Sequence, residues 1–352
     1  MKCPFQFTLE ISGPEAQALG QFPISPDWLP VEEALRFEIM RHGDDKPLRA
    51  DDIVIDPRWS EQGAPYVSSL AVSAPGSPSV AIPVKYFKGE VRKIEAQLVA
   101  QEKLKKGDAY TFKTLAYART EAPAPARKGI FVIEDEEVES PVAEREIAPL
   151  VARSTTDDET LESAEALRVF IPQSILDETR GIAEAAGNVE TGGLLIGHVH
   201  RDPVEPVIFL EVTAQIPAAH TNASVTSLNF SDDTWLAARA AMNIRNRGES
   251  MIAWWHSHPS KWFCNESCPL EKRLACHLQQ SYLSADDLLL HRTVYPKAWQ
   301  VALLVNVADA GTTHTAWGWH AGSVRQIPFR VLALAPAAPP RAKAKPRELA
   351  TA

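Results

Sequence analysis

Apolar and polar positions fall into distinct regimes along the 352-residue chain. Up to about residue 118, short runs of β type (FQFTLEI, ALRFEIM, YVSSLAV, SVAIPVKYF, DAYTFKTLAY) are separated by Pro, Gly and Asp clusters, the pattern of half-buried strands joined by turns. The stretch VRKIEAQLVAQEKLKKG sets Val91, Ile94, Leu98 and Val99 near helical spacing, but an apolar pattern this short fits a strand as well. Residues 1–118 therefore read as a small β-rich domain, and they contain no catalytic constellation.

Composition then changes. Residues 119–165 carry APAPAR, EDEEVESPVAERE and STTDDETLESAE, with one strand-like run, GIFVIE. Such Pro-, Ala- and acid-rich sequence reads as a linker. The final segment, 336–352, is rich in Ala, Pro and basic residues, has nothing to bury and reads as a disordered tail.

Residues 166–335 alternate in type. A helical pattern around 175–186 precedes the strand GGLLIGHVH, and EPVIFLEVTAQI follows as a second strand. SDDTWLAARAAMNIRNRG has acidic residues first and Gly248 at its end, which are helix start and stop signals. The strand MIAWWHSH, an irregular insert, the helix SADDLLLHR and the strands WQVALLVNV and HTAWGWHAG complete the series. Alternation of this kind predicts an α/β domain with a central sheet flanked by helices.

Charge and cysteine content narrow the function classes. With 36 Lys plus Arg against 45 Asp plus Glu, the net charge is −9, which repels phosphate backbones and argues against nucleic acid as a partner. The opening MKCPFQFTLEIS meets Gln6 and Glu10 before a signal-type apolar run can form, and no stretch reaches membrane-spanning length; a cytoplasmic protein without a membrane segment is expected. Four cysteines do not make a disulfide framework, yet Cys264, Cys268 and Cys276 are clustered in the insert.

The candidate chemistry sits at the end of MIAWWHSH. His256 and His258 are two positions apart on a strand, so their imidazoles leave the same face and can converge on one ion. A catalytic zinc takes three protein ligands and leaves a fourth position open, so a third donor must come from elsewhere. His198, His200, His220, His314 and His320 have no partners at metal spacing and read as ordinary packed or edge histidines.

Taken together, ETGGLLIG at 190–197, HSHP at 256–259 and YLSADD at 282–287 resemble the JAMM motif of the JAB/MPN zinc metalloproteases: a glutamate before a glycine-rich strand, then His-x-His-Pro, then Ser-x-x-Asp. The resemblance implies a JAB/MPN-like (cytidine-deaminase-like) fold for the second domain. It implies Zn2+ on His256, His258 and Asp287, with Glu190 as the general base that later returns its proton to the leaving amine and Ser284 as a donor to the oxyanion. It further implies an isopeptidase or peptidase, deubiquitinase-like, that acts after the C-terminal glycine of a ubiquitin-like protein, with E1-like and E2-like enzymes as associated partners. The alternative is a non-catalytic MPN scaffold in a ubiquitin-like conjugation complex.

One departure is plain. The family's usual spacing from the second histidine lands on Glu266 and Pro269, so Ser284 and Asp287 fit only if the cysteine-bearing segment is an insertion. Ser284-x-x-Asp287 also reads as a helix capping box, and on this reading Asp287 cannot cap and ligate fully at once; Asp286 is the substitute ligand. Cys264, Cys268, Cys276 and His277 would suit a second, structural zinc, or the cysteines are plain buried thiols. Gly192 and Gly193 are expected where backbone approaches closely.

Overall fold

The structure, a computed structural model, describes residues 2–43, 48–119, 142–155, 167–218, 232–265 and 267–333. The first unit comprises β1 (Phe5–Ser12), β2 (Ala18–Ile24), α1 (Leu29–Arg41), β3 (Val54–Trp59), β4 (Tyr66–Ser73), β5 (Val80–Pro83), α2 (Lys88–Ala100) and β6 (Thr111–Ala118). Its sheet runs β2-β1-β6-β4-β3, with β5 also on β4. The ambiguous stretch after residue 90 is helix α2, which buries Val91, Ile94 and Leu98.

The unit is thus α+β, and ALRFEIM, expected as a strand, lies within α1. Its Leu-Arg-Phe-Glu-Ile alternation has a specific cause. Val31, Ala34, Leu35 and Ile39 pack into the first unit's core, while Phe37 and Met40 pack against the core of the second. A helix buried on two sides carries apolar residues that single-face spacing does not predict.

The second unit comprises β7 (Val142–Glu144), α3 (Ala148–Ala152), β8 (Ser154–Thr155), β9 (Leu167–Pro172), α4 (Gln173–Ala186), β10 (Gly192–Arg201), β11 (Ile208–Pro217), α5 (Asp232–Arg245) and β12 (Ser250–His258). It continues through α6 (Leu270–Leu274), α7 (Ala285–Val294), β13 (Val301–Ala308), β14 (Gly311–His320), β15 (Ser323–Ile327) and β16 (Arg330–Leu332). The mixed sheet runs β15-β14-β13-β12-β10-β11-β9-β16-β8, with β7 alongside β10. β10, β12 and β13 are near-continuous apolar runs because both faces are covered. One face packs Trp255 and Val305 with Ile175 and Leu176 of α4, and the other packs Trp254 and Leu194 with Ala238 of α5 and Leu290 of α7.

Residues 142–155, assigned to the linker by composition, enter this sheet instead. β7 pairs with Val199–Arg201 through its backbone, a contact that makes no demand on side-chain hydrophobicity. Ile147 and Leu150 bury beside Phe170 and Phe209, and the Ile147 N–H donates to Asp202 Oδ2 at 2.7 Å. The GIFVIE run, the rest of the acidic segment and the tail from 334 lie outside the described residues. The two units also touch directly: Lys297 Nζ lies 2.9 Å from Glu33 Oε1, and Arg41 Nε donates to the Pro206 carbonyl at 2.7 Å. No helix among the described residues is long and apolar enough to cross a membrane.

Two stability predictions arise here. A Cβ at Gly193 would lie 2.3 Å from the Ile216 carbonyl oxygen and 2.7 Å from Trp255 Nε1, so β10 must part from β11 to admit it. Gly193→Ala should cost about 3 kcal/mol or more, read by urea unfolding; a cost under about 0.5 kcal/mol would contradict the close packing. The second concerns Glu211, whose carboxyl is held down to about 2, first by His200 and then by Arg145, against the opposing effect of burial. A depressed folded pKa gives stability that is present above the unfolded value of about 4.3 and lost as pH falls toward 2. Glu211→Gln should therefore cost about 1–3 kcal/mol at pH 7 and flatten the decline in stability between about pH 5 and pH 2. A variant as acid-sensitive as wild type would refute this.

Candidate metal centre

The site lies where β12 ends against α7. Trp254, His256 and His258 alternate onto the α5/α7 face of the sheet, and both histidines are buried. Glu190 precedes β10, whose Gly192 pairs with His256 across the ladder. Thr191 and Ser257 fix this approach: the Ser257 N–H donates to the Thr191 carbonyl at 2.7 Å, and the Thr191 N–H donates to Ser257 Oγ at 3.0 Å. Glu190 Oε1 then stands 3.9 Å from His258 Nε2.

Asp287 comes from the first turn of α7. Ser284 Oγ accepts the Asp287 N–H at 3.1 Å, and Asp287 Oδ2 accepts the Ser284 N–H at 2.7 Å, a reciprocal capping box. The same carboxylate places Oδ1 3.2 Å from His256 Nε2 and Oδ2 3.3 Å from His258 Nε2. One carboxylate thus both caps the helix and faces the two histidines. An ionised carboxyl has about four acceptor positions, enough for the cap on one oxygen and the histidines on both.

His256, His258 and Asp287 are the one group of three or more metal-type donors among the described residues whose ligand atoms lie within 4.8 Å of one another. The two Nε2 atoms are 3.1 Å apart. Zn–ligand bonds of about 2.0–2.1 Å at tetrahedral angles separate ligand atoms by about 3.3 Å; the 3.1 Å between the two Nε2 atoms fits such an ion, while His256 faces Asp287 Oδ1 at 3.2 Å and His258 faces Oδ2 at 3.3 Å, so either carboxylate oxygen stands at the edge of the site. Two imidazoles and one carboxylate are also a donor set suited to zinc.

The electrostatics separate the two carboxyls. Burial pushes Glu190 up to about 8, with Asp287 and then Asp286 adding to the rise. Burial would also raise Asp287, but His256, His258 and the Ser284 N–H outweigh it and hold the group far below the ordinary carboxylate range. His258 is lowered by burial against the pull of Asp287. Neighbouring carboxyls driven in opposite directions are the arrangement that gives one a proton-carrying role and leaves the other anionic.

Other expected residues stand differently. Asp286, the substitute ligand, is exposed and outside the cluster. Cys264, Cys268 and Cys276 are free, half-buried thiols and His277 is exposed; no three of these donors converge within the distance that defines the His256 group. The insert is fastened by Gln279 instead. Its Nε2 donates to the Ser260 carbonyl and Asp309 Oδ2, each at 3.1 Å, while its own carbonyl accepts from Asn306 Nδ2 at 2.8 Å. The insert also sets Tyr282 and Phe263 beside His258, with ring centroids 5.2 and 6.2 Å away. Neither Gln279 nor Tyr282 carries a sequence signal, since both roles arise from contacts distant along the chain.

A mixed α/β domain with two strand histidines and a helix aspartate converging at one sheet end defines the class: an α/β unit with a candidate metal centre. Residues 172–261 match the family model described as prokaryotic homologs of the JAB domain. The match supports a JAB/MPN-type domain and includes Glu190, His256 and His258, whereas Ser284 and Asp287 lie beyond its end. No curated protein matches. Among solved structures, the chain is similar to the solution structure of a protein from Desulfitobacterium hafniense, at 17% identity over 46% of this chain and 92% of that one, with a TM-score of 0.30.

Proposed function

We propose that the second unit is a zinc-dependent peptidase or isopeptidase of the JAMM type, acting after the C-terminal glycine of a ubiquitin-like protein in deconjugation or precursor processing. The convergence of His256, His258 and Asp287 carries the reading. Zinc there would supply a Lewis acid and lower the pKa of water from about 15.7 to about 7.

The chain's own residues do the rest. Glu190, next to His258 and outside the donor triad, takes a proton from the attacking water and returns it to the leaving amine. Ser284 Oγ already accepts the Asp287 N–H, which leaves its hydroxyl proton to donate to the developing oxyanion. Tyr282 and Phe263 pack their rings beside His258. The substrate class and the E1-like or E2-like partners rest on the JAMM resemblance, and we assign recruitment of the modifier to the first unit.

The test uses the full chain, loaded with zinc, against ubiquitin-like proteins extended beyond their terminal glycine as linear fusions or as lysine-linked conjugates. Cleavage after the glycine, lost in Glu190→Gln, is expected. Zinc-loaded protein inert on every member of both sets would move the non-catalytic scaffold to first place.

A further inference from the structure

Histidines that ligate metals are normally oriented by a hydrogen bond from the second ring nitrogen to a carboxylate, carbonyl or water. Among the described residues, Nδ1 of His256 has no such partner although the ring is fully buried. Its plane is set in another way. The indole of Trp254 stacks on it with centroids 4.7 Å apart and planes at 15°.

Trp254 is itself held. Its Nε1–H donates to Nδ1 of His291 at 3.1 Å, and both side chains are fully buried. Accepting at Nδ1 places the ring proton of His291 on Nε2, and burial brings its pKa down to about 4, so the ring is neutral. His291 is stacked in turn on Trp319 at 5.4 Å and on Tyr295 at 6.2 Å, and Trp319 Nε1 donates to the Tyr295 carbonyl at 3.0 Å. These contacts leave the imidazole little freedom to turn.

The placement on α7 matters. Asp287 and His291 are four residues apart on that helix, hence on one side of it. A single helix therefore delivers a carboxylate to the donor triad and an imidazole to the indole that backs His256. From this juxtaposition we infer that Trp254 and His291 are positioning residues that aim His256 and keep strand β12 and helix α7 in register at the metal centre. Both act through the plane of His256.

The inference rests on the zinc reading of the triad, so the experiment separates the two. Full-length wild type, His291→Leu, His291→Asn and Trp254→Phe are titrated with Co2+, following the visible ligand-field bands and the dissociation constant, with thermal unfolding of each metal-free protein alongside. Leucine keeps volume and removes the acceptor; asparagine restores an acceptor near the position of Nδ1; phenylalanine keeps a stacking ring and removes the N–H. His291→Leu and Trp254→Phe should bind Co2+ about 10–100-fold more weakly, the range for losing an orienting partner, with altered bands. His291→Asn should stay close to wild type in both readouts. A purely structural role would lower unfolding temperatures and leave bands and affinity unchanged, which would overturn the inference. If His291→Leu does not fold, the contrast between Trp254→Phe and His291→Asn decides it in the same way. Wild type that takes up neither Co2+ nor Zn2+ would refute the metal centre itself, whereas normal uptake by all four proteins refutes only the positioning pair.

Discussion

His258→Ala is expected to emerge from zinc loading and gel filtration with no bound zinc, against about one zinc per chain in wild type, read by elemental analysis. The triad supplies the minimum of three protein ligands for a catalytic zinc, and the substitution leaves two. Structural zinc sites bind with about 10–16 kcal/mol over four ligands, or roughly 2.5–4 kcal/mol each, so losing one weakens affinity by about two to three decades. The folded state should be equally informative. Zinc at about 100 times its dissociation constant stabilises wild type by about 2.7 kcal/mol, and that increment should vanish in His258→Ala. A second zinc in wild type that survives His258→Ala would instead place an ion on Cys264, Cys268, Cys276 and His277. Zinc content unchanged by His258→Ala would mean that the ion sits elsewhere and would sink the assignment of the triad.

Much of this site was legible because its key signals are local. The spacing of His256 and His258 on an apolar strand fixes a common face, and Glu190 before a Gly-rich strand lies beside them once β10 and β12 pair. Asp287 was reachable only by stepping over a long insert, and its dual part as cap and triad member depends on which oxygen faces which neighbour. Gln279 looks like any insert residue, yet it ties Ser260 to Asp309. From its place just before HSHP, Trp254 reads as a core residue or a wall of the site, and only the fold shows that its ring backs His256 while its N–H meets a residue on another element.

The misread elements have the same origin. α1 alternates with period two because it is shared between two cores, so its pattern reports the tertiary arrangement and not the backbone. β7 adds to the sheet with three residues, Val142, Ala143 and Glu144, whose backbone does the pairing, and no periodicity can be read in so short a run. Fold class and major elements follow from pattern over ten residues or more; short edge additions and residues shared between cores do not.

Glu190→Gln separates an enzyme from a scaffold, because catalysis and stability should move in opposite directions. Loss of a positioned general base costs about 10²–10⁴ in rate, while zinc content should remain near that of wild type, since Glu190 is not among the three converging donors. In metal-free protein, the wild-type carboxyl is disfavoured as an anion by burial and by Asp287, with its pKa near 8. A raised folded pKa means that the associated stability is present below the unfolded value of about 4.3 and lost as pH rises through about 8. Glutamine is neutral throughout, so stripped Glu190→Gln should exceed wild type in stability at pH 9, on the order of 2 kcal/mol, and show a flatter profile between pH 5 and 9 by urea unfolding. A buried acid that costs stability and is needed for turnover marks a site maintained for chemistry. If the variant keeps full activity on glycine-terminated substrates, Glu190 is not the base; if it matches wild type in stability at every pH, the carboxyl does not occupy the buried position beside Asp287.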